Sequence, residues 1–171
     1  MAYRTKTYIA GDWDHDRDAV EQIYKWKNGN KWNLDFHDAH ELTQARDTSL
    51  PCSIKASLKA RLDVSKIFVL IVGEHTDSIT KGGCQFCGSY NSRLGYCTRG
   101  HSVDKRSFVK YECEKAVAAN LKIVVLYNGK SVIRSKCPAV VRYIGTHAAM
   151  RKTDGTFDWD YAAVKKALDI G

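Results

Sequence analysis

Two glutamates stand two positions apart in the run "RSFVKYECEKAVAANLKIVVLYN", Arg106 to Asn128, which reads as a helix leading into an apolar strand. If Val109, Cys113, Ala116 and Val117 face the interior, a step of about 100° per residue puts Glu112 about 60° from Val109, on the flank of the buried face. Glu114 is about 200° from Glu112 and points away into solvent. A half-buried carboxylate near a helix N-terminus is favoured in its ionised form by the partial positive charge there. Such a group can hold hydroxyls and stabilise a developing cation, as carboxylates do in glycoside cleavage. Residue type and spacing alone favour the other reading of Glu112, a charge at the boundary of the buried face.

Further polar residues gather where strand candidates end. "KTYIA" is followed by Gly11, Asp12, Trp13 and Asp14, "KWNLDF" by His37, Asp38, Ala39, His40 and Glu41, and "KIFVLIV" by Gly73, Glu74 and His75. Open α/β sheets bind ligands outside the carboxyl ends of their strands. Asp12, Trp13, Asp14, Asp38, His40, Glu74 and Tyr111 are therefore the expected substrate-binding set. Trp13 or Tyr8 would stack on a base, core packing being the other use of an aromatic there. Asp12 and Asp14 are acids of the kind a phosphorelay receiver uses, but "IVGEH" offers no aspartate to take a phosphoryl group. The chain has no G-x-G-x-x-G after the first strand and no G-x-x-x-x-G-K-[ST], which disfavours Rossmann-type dinucleotide binding and P-loop chemistry.

Cys84-x-x-Cys87, followed by Cys97 and His101, supplies the ligand types of a tetrahedral zinc site. Three thiolates and one imidazole leave no open position, so the expectation is one structural zinc. Reduced thiols are the alternative, and a disulfide is a third.

The elements that must position these residues alternate between strand and helix signals. "DRDAVEQIYKWKN" and "SIKASLKARLDVS" carry apolar residues at helical spacing, which predicts helices over about 17–28 and 53–62. "KWNLDF" alternates with period two, and "KIFVLIV" is apolar throughout. The pattern predicts an α/β fold with a parallel five-stranded sheet ordered 2-1-3-4-5 and covered by helices on both faces. A fifth edge strand is expected within "SKCPAVVRYIGTHAAM", and a closing helix in "DWDYAAVKKALDI". The rhythm breaks once, in a Cys-containing insertion at about 74–106 of a single domain spanning 1–171. A loop of that length calls for function or internal bracing.

Composition agrees with a globular chain: 44% of residues are hydrophobic and 27% charged, with two prolines. The longest apolar run, Ile67 to Val72, is too short to span a membrane, and "MAYRTKTYIAGDWD" lacks a secretory signal's apolar core, so a cytoplasmic location is expected. Net charge is +8, and Lys81 to Lys110 holds six Lys/Arg against one Asp. This basic patch lacks any recognised nucleic-acid motif, so nucleic acid is not an expected partner.

"KTYIAGDWDHD", "LDFHDAHELTQARD", "SIKASLKARLDVSKIFVLIVGEHT" and "SFVKYECEKAVAANLKIVVLYN" together resemble the TIR-like family that includes ThsB of the bacterial Thoeris antiphage system. The likeness runs from Lys6 to about Met150, with Phe108 standing where tryptophan is common. It implies a flavodoxin-like TIR fold in which a glutamate on the helix before the fourth strand, here Glu112, serves NAD cleavage. It further implies an ADP-ribose-derived signal, made after a phage trigger, that diffuses to a partner NAD-consuming effector. Self-association into a homo-oligomer is among the expected partnerships. Two other readings accompany this one: a TIR interaction module without turnover, and an enzyme of related fold resembling nucleoside deoxyribosyltransferases.

Overall fold

The computed structural model describes residues 3–29, 34–38 and 50–168. Four parallel strands form the main sheet, in the order β1 (Lys6–Ala10), β2 (Ser65–Val72), β5 (Lys122–Tyr127) and β6 (Thr146–Ala149). Their apolar content follows from this position: a parallel strand buried on both faces has no polar side to present.

Side chains alternate between the two faces and define two cores. One face carries Tyr8, Phe68, Leu70, Ile123 and Val125, covered by α2 (Pro51–Asp63) and α3 (Phe108–Ala118). The other carries Ile9, Val69, Ile71, Val124 and Leu126, covered by α1 (Arg17–Asn28) and α4 (Tyr161–Leu168). This is the three-layer α/β architecture that the alternation of elements predicts. Each large side chain fully withdrawn from water, such as Trp26 on α1 or Phe68 on β2, contributes about 1.5–3 kcal/mol.

Local chemistry accounts for the helix ends. Pro51 starts α2, where a missing N–H costs nothing. Ser107 caps α3, its hydroxyl accepting from the Lys110 N–H at 3.2 Å. Asp18 in the first turn of α1 and Lys25 and Lys27 in its last turn oppose the helix dipole at each end.

Among the described residues the main sheet has four strands, against the five expected. Leu34 and Phe36 of "KWNLDF" are buried as their alternation predicts, and just beyond them Asp38 forms an isolated parallel bridge to Thr7. The Thr7 N–H donates to His37 O at 2.6 Å beside it. The segment thus lies outside β1, the edge that the expected order assigns to it.

Between β2 and α3 the chain builds a small second sheet, the antiparallel pair β3 (Tyr90–Asn91) and β4 (Tyr96–Cys97). Its turn is shaped by Asn91, whose side-chain oxygen accepts from the Arg93 and Leu94 N–H groups at 3.1 Å. The base of this excursion is pinned to α2 by the buried Lys55, whose Nζ donates to Asp104 O at 3.1 Å and Arg106 O at 2.7 Å. No helix among the described residues is long and apolar enough to cross a membrane.

Candidate active site

Glu112 occupies the second turn of α3. That helix is wedged between the sheet and α2, so Val109, Tyr111, Glu112, Cys113 and Ala116 are all buried. Glu112 is 7% exposed, deeper than the half-buried flank position expected of an isolated amphipathic helix. The Tyr8 hydroxyl, from the middle of β1, donates to Glu112 Oε1. Burial raises the Glu112 carboxyl to about 7, with the Tyr8 hydrogen bond and the Arg61 charge pulling the other way. Desolvation therefore outweighs the helix N-terminus as the influence on this acid. Glu114 is exposed and ion-paired with Arg106, as its opposite orientation predicts.

At the carboxyl ends of β1 and β2 lies a crevice of about 310 Å³ lined by Asp12, Asp14, His15, His75, Ser78, Ile79, Thr80 and Lys81. The "GDWDHD" turn folds on Asp12, which is 8% exposed: its Oδ1 accepts from the Asp14 N–H at 3.0 Å, and its Oδ2 lies 2.5 Å from His15 Nδ1. The His15 and His75 rings sit 4.7 Å apart. Lys81 reaches across to Asp14 at 3.1 Å. The same Lys81 carries the carbonyl that accepts from the Phe108 N–H at 2.9 Å, so the first residue of α3 is tied to the crevice wall. Ile79 lines the crevice and also packs against the core cluster of Tyr8 and Val109.

The structure brings Asp12 and Asp14 together and keeps Trp13 nearby, 50% exposed and stacked on Tyr24 at 6.5 Å. The other described candidates, Glu112 included, are not among the crevice walls. Tyr8 is fully buried against Phe68 at 5.7 Å, which withdraws it from the expected role of stacking on a base. Tyr111 is buried on the α2 side, with Lys55, Arg106 and Lys115 5.6, 5.1 and 5.5 Å from its ring centroid. Glu74 is exposed and paired with Lys136, whose ammonium holds its carboxyl below the usual range. Asp38 is buried in its bridge to β1. His40 lies outside the described residues.

The cysteines of the expected zinc set lie in the excursion between β2 and α3. Among the described residues no three His, Cys, Asp or Glu side chains converge as a metal-binding group. Cys84 is buried, and its Sγ accepts from the Asp104 N–H at 3.3 Å. Cys87 and Cys97 are partly exposed, and His101 is exposed. Backbone hydrogen bonds brace the excursion, among them Cys84 N to Asp104 O at 2.9 Å and Thr98 N to Ser89 O at 2.8 Å.

Asp16 escaped sequence reasoning altogether. It precedes α1 but does not cap it; its carboxylate turns over Gly73 at the end of β2 and accepts from Asn128 Nδ2 at 3.0 Å. It is 3% exposed, and burial raises its carboxyl, with the Asn128 bond opposing and Asp12 and Asp18 adding to the rise. Glycine at position 73 is required by this approach, since a Cβ there would fall 1.9 Å from Asp16 Oδ1. His15, His75 and Lys81 were visible as residue types near strand ends, but their convergence on one crevice depends on how the loops fold back.

No curated protein matches the chain. Residues 7–81, which comprise most of β1, then α1, α2 and β2, and end at the crevice wall before α3 begins, match the family model described as Thoeris protein ThsB, TIR-like domain. Over that stretch the chain is similar to this TIR-like domain family, and a parallel three-layer α/β fold surrounds it.

Proposed function

We propose that this TIR-like protein cleaves NAD at the nicotinamide N-glycosidic bond and releases an ADP-ribose-derived signal for a partner effector in antiphage defence. The observation that carries the reading is Glu112: a carboxylate held by a hydroxyl from β1 and brought to about 7 by burial. Perturbed acids of this kind mark functional sites.

In the proposed reaction the bond from ribose C1′ to the nicotinamide nitrogen breaks, and its electron pair leaves with nicotinamide as a neutral ring. Positive charge develops on the ribose. Ionised Glu112 stabilises that charge, in a water-poor setting where a fixed carboxylate is worth most. A nucleophile then adds to C1′: a group of the same molecule gives a cyclic or rearranged product, and water gives ADP-ribose. Because nicotinamide leaves readily, no metal or strong general acid is assigned. Trp13 and the polar walls of the crevice, Asp14 and Lys81 among them, are the proposed contacts to the rest of the substrate.

One observation favours a second reading, an interaction module without turnover: Glu112 is 7% exposed and lies outside the crevice lining. Incubating purified protein with NAD, with and without extract of phage-infected cells, separates the two. Nicotinamide release in either condition supports the enzyme; none in both, from folded protein, supports the module.

A further inference from the structure

Tyr8 and Phe68 face each other in register on β1 and β2 and stack at 5.7 Å. An apolar ring evidently suits this layer, so packing does not explain the hydroxyl on Tyr8. A buried hydroxyl must find a partner, and this one donates to Glu112 Oε1 across the gap between sheet and helix. Around the carboxylate stand Tyr8 from β1, Arg61 from α2 and Cys113 on its own helix. Burial keeps the Tyr8 phenol and the Cys113 thiol protonated, so Tyr8 remains a donor throughout the neutral range.

A glutamate has three side-chain torsions and, on a helix surface, no fixed carboxylate direction. Phenol donation from a rigid central strand supplies one. We propose that Tyr8 is the positioning residue for Glu112: its hydroxyl fixes the orientation of the carboxylate and stabilises its charge, so the sheet governs an acid carried by the helix. The catalytic consequence rests on the reading of Glu112 as the active-site acid; the positioning itself does not.

The test is Tyr8→Phe, which keeps the ring and removes the donor. The carboxyl carbon resonance of Glu112, assigned by its loss in Glu112→Gln, is followed from about pH 5 to about pH 9 in labelled protein. Losing a hydrogen bond to the charged form raises the midpoint, by about one pH unit. Wherever the parent protein turns over NAD, the rising limb of the pH profile moves by the same amount; kcat falls about fivefold at about pH 7, and about tenfold on the acid limb, while KM holds. A purely packing role would change thermal stability and leave both midpoints in place, which overturns the proposal. Should Tyr8→Phe fail to fold, site-specific fluorination of the Tyr8 ring makes the phenol a stronger donor at nearly the same size. It should lower the midpoint, and an unmoved midpoint again overturns the proposal. If no form of the protein releases nicotinamide, the enzyme reading falls, while the titration still decides for or against Tyr8.

Discussion

Replacing Glu112 by glutamine should make the protein more stable at alkaline pH, because the native fold holds this acid where its charged form is disfavoured. The carboxyl sits at about 7 when folded, against 4.5 for an ordinary glutamate, with burial as the main cause. A raised acid binds its proton more tightly in the native state. Its contribution to stability is complete below about pH 4.5, falls as pH rises, and is lost once pH passes about 7. The difference of about 2.5 units, at about 1.4 kcal/mol each, amounts to about 3 kcal/mol. Glutamine keeps an oxygen that can accept from the Tyr8 hydroxyl, but it has no charge to desolvate. Arg61 would lose an opposite charge in the exchange, which makes about 3 kcal/mol an upper figure. Urea denaturation at about pH 5 and about pH 8, read by fluorescence of the buried Trp26 and its neighbours, should show the parent losing stability between the two relative to Glu112→Gln. A variant less stable than the parent at about pH 8, or an identical pH slope in both, would refute the reasoning.

Two further substitutions probe how the strand ends and the excursion after β2 are held. Gly73→Ala would set a methyl group 1.9 Å from Asp16 Oδ1, so the buried carboxylate must move off Asn128; a loss of about 1–3 kcal/mol is expected in urea denaturation, and unchanged stability would show the contact to be slack. Lys55→Met leaves the Asp104 and Arg106 carbonyls without their ammonium donor, so a loss of about 2 kcal/mol and faster limited proteolysis between residues 92 and 102 are expected; unchanged cleavage would mean that the excursion is braced from elsewhere.

Much of the fold was legible because its signals are local. The first helix, expected over about 17–28, is Arg17–Asn28, since both the acidic first turn and the 3.6-residue spacing of Ala19, Val20, Ile23 and Trp26 are written in consecutive residues. The second was expected over about 53–62 and begins two residues earlier, at Pro51, whose fixed φ suits a first turn. The "KWNLDF" segment shows what alternation can and cannot report. Leu34 and Phe36 are indeed buried, at 1% and 7%, yet pairing depends on how the partner strand presents its backbone, and among the described residues the bridge to β1 is made by Asp38.

The site was less legible for the same reason. Helical geometry put Glu112 and Glu114 on different sides, correctly, but the depth of Glu112 is decided by α2 and β1, which no reading of α3 alone contains. The Asp16 to Asn128 contact joins residues 112 positions apart and has no local trace. The cysteine spacing named suitable ligands, whereas a metal site needs their side chains to converge, which spacing alone does not report.

The central claim, that ionised Glu112 drives cleavage of NAD, is tested most directly by nicotinamide release. Parent, Glu112→Gln and Glu114→Gln would be compared under the condition, such as phage challenge, in which the parent is active. Loss of one well-placed charge worth about 3 kcal/mol should slow Glu112→Gln on the order of a hundredfold, while Glu114→Gln, exposed and paired with Arg106, keeps the parent rate. Parent-like release from folded Glu112→Gln, or equal loss in both variants, would contradict the account.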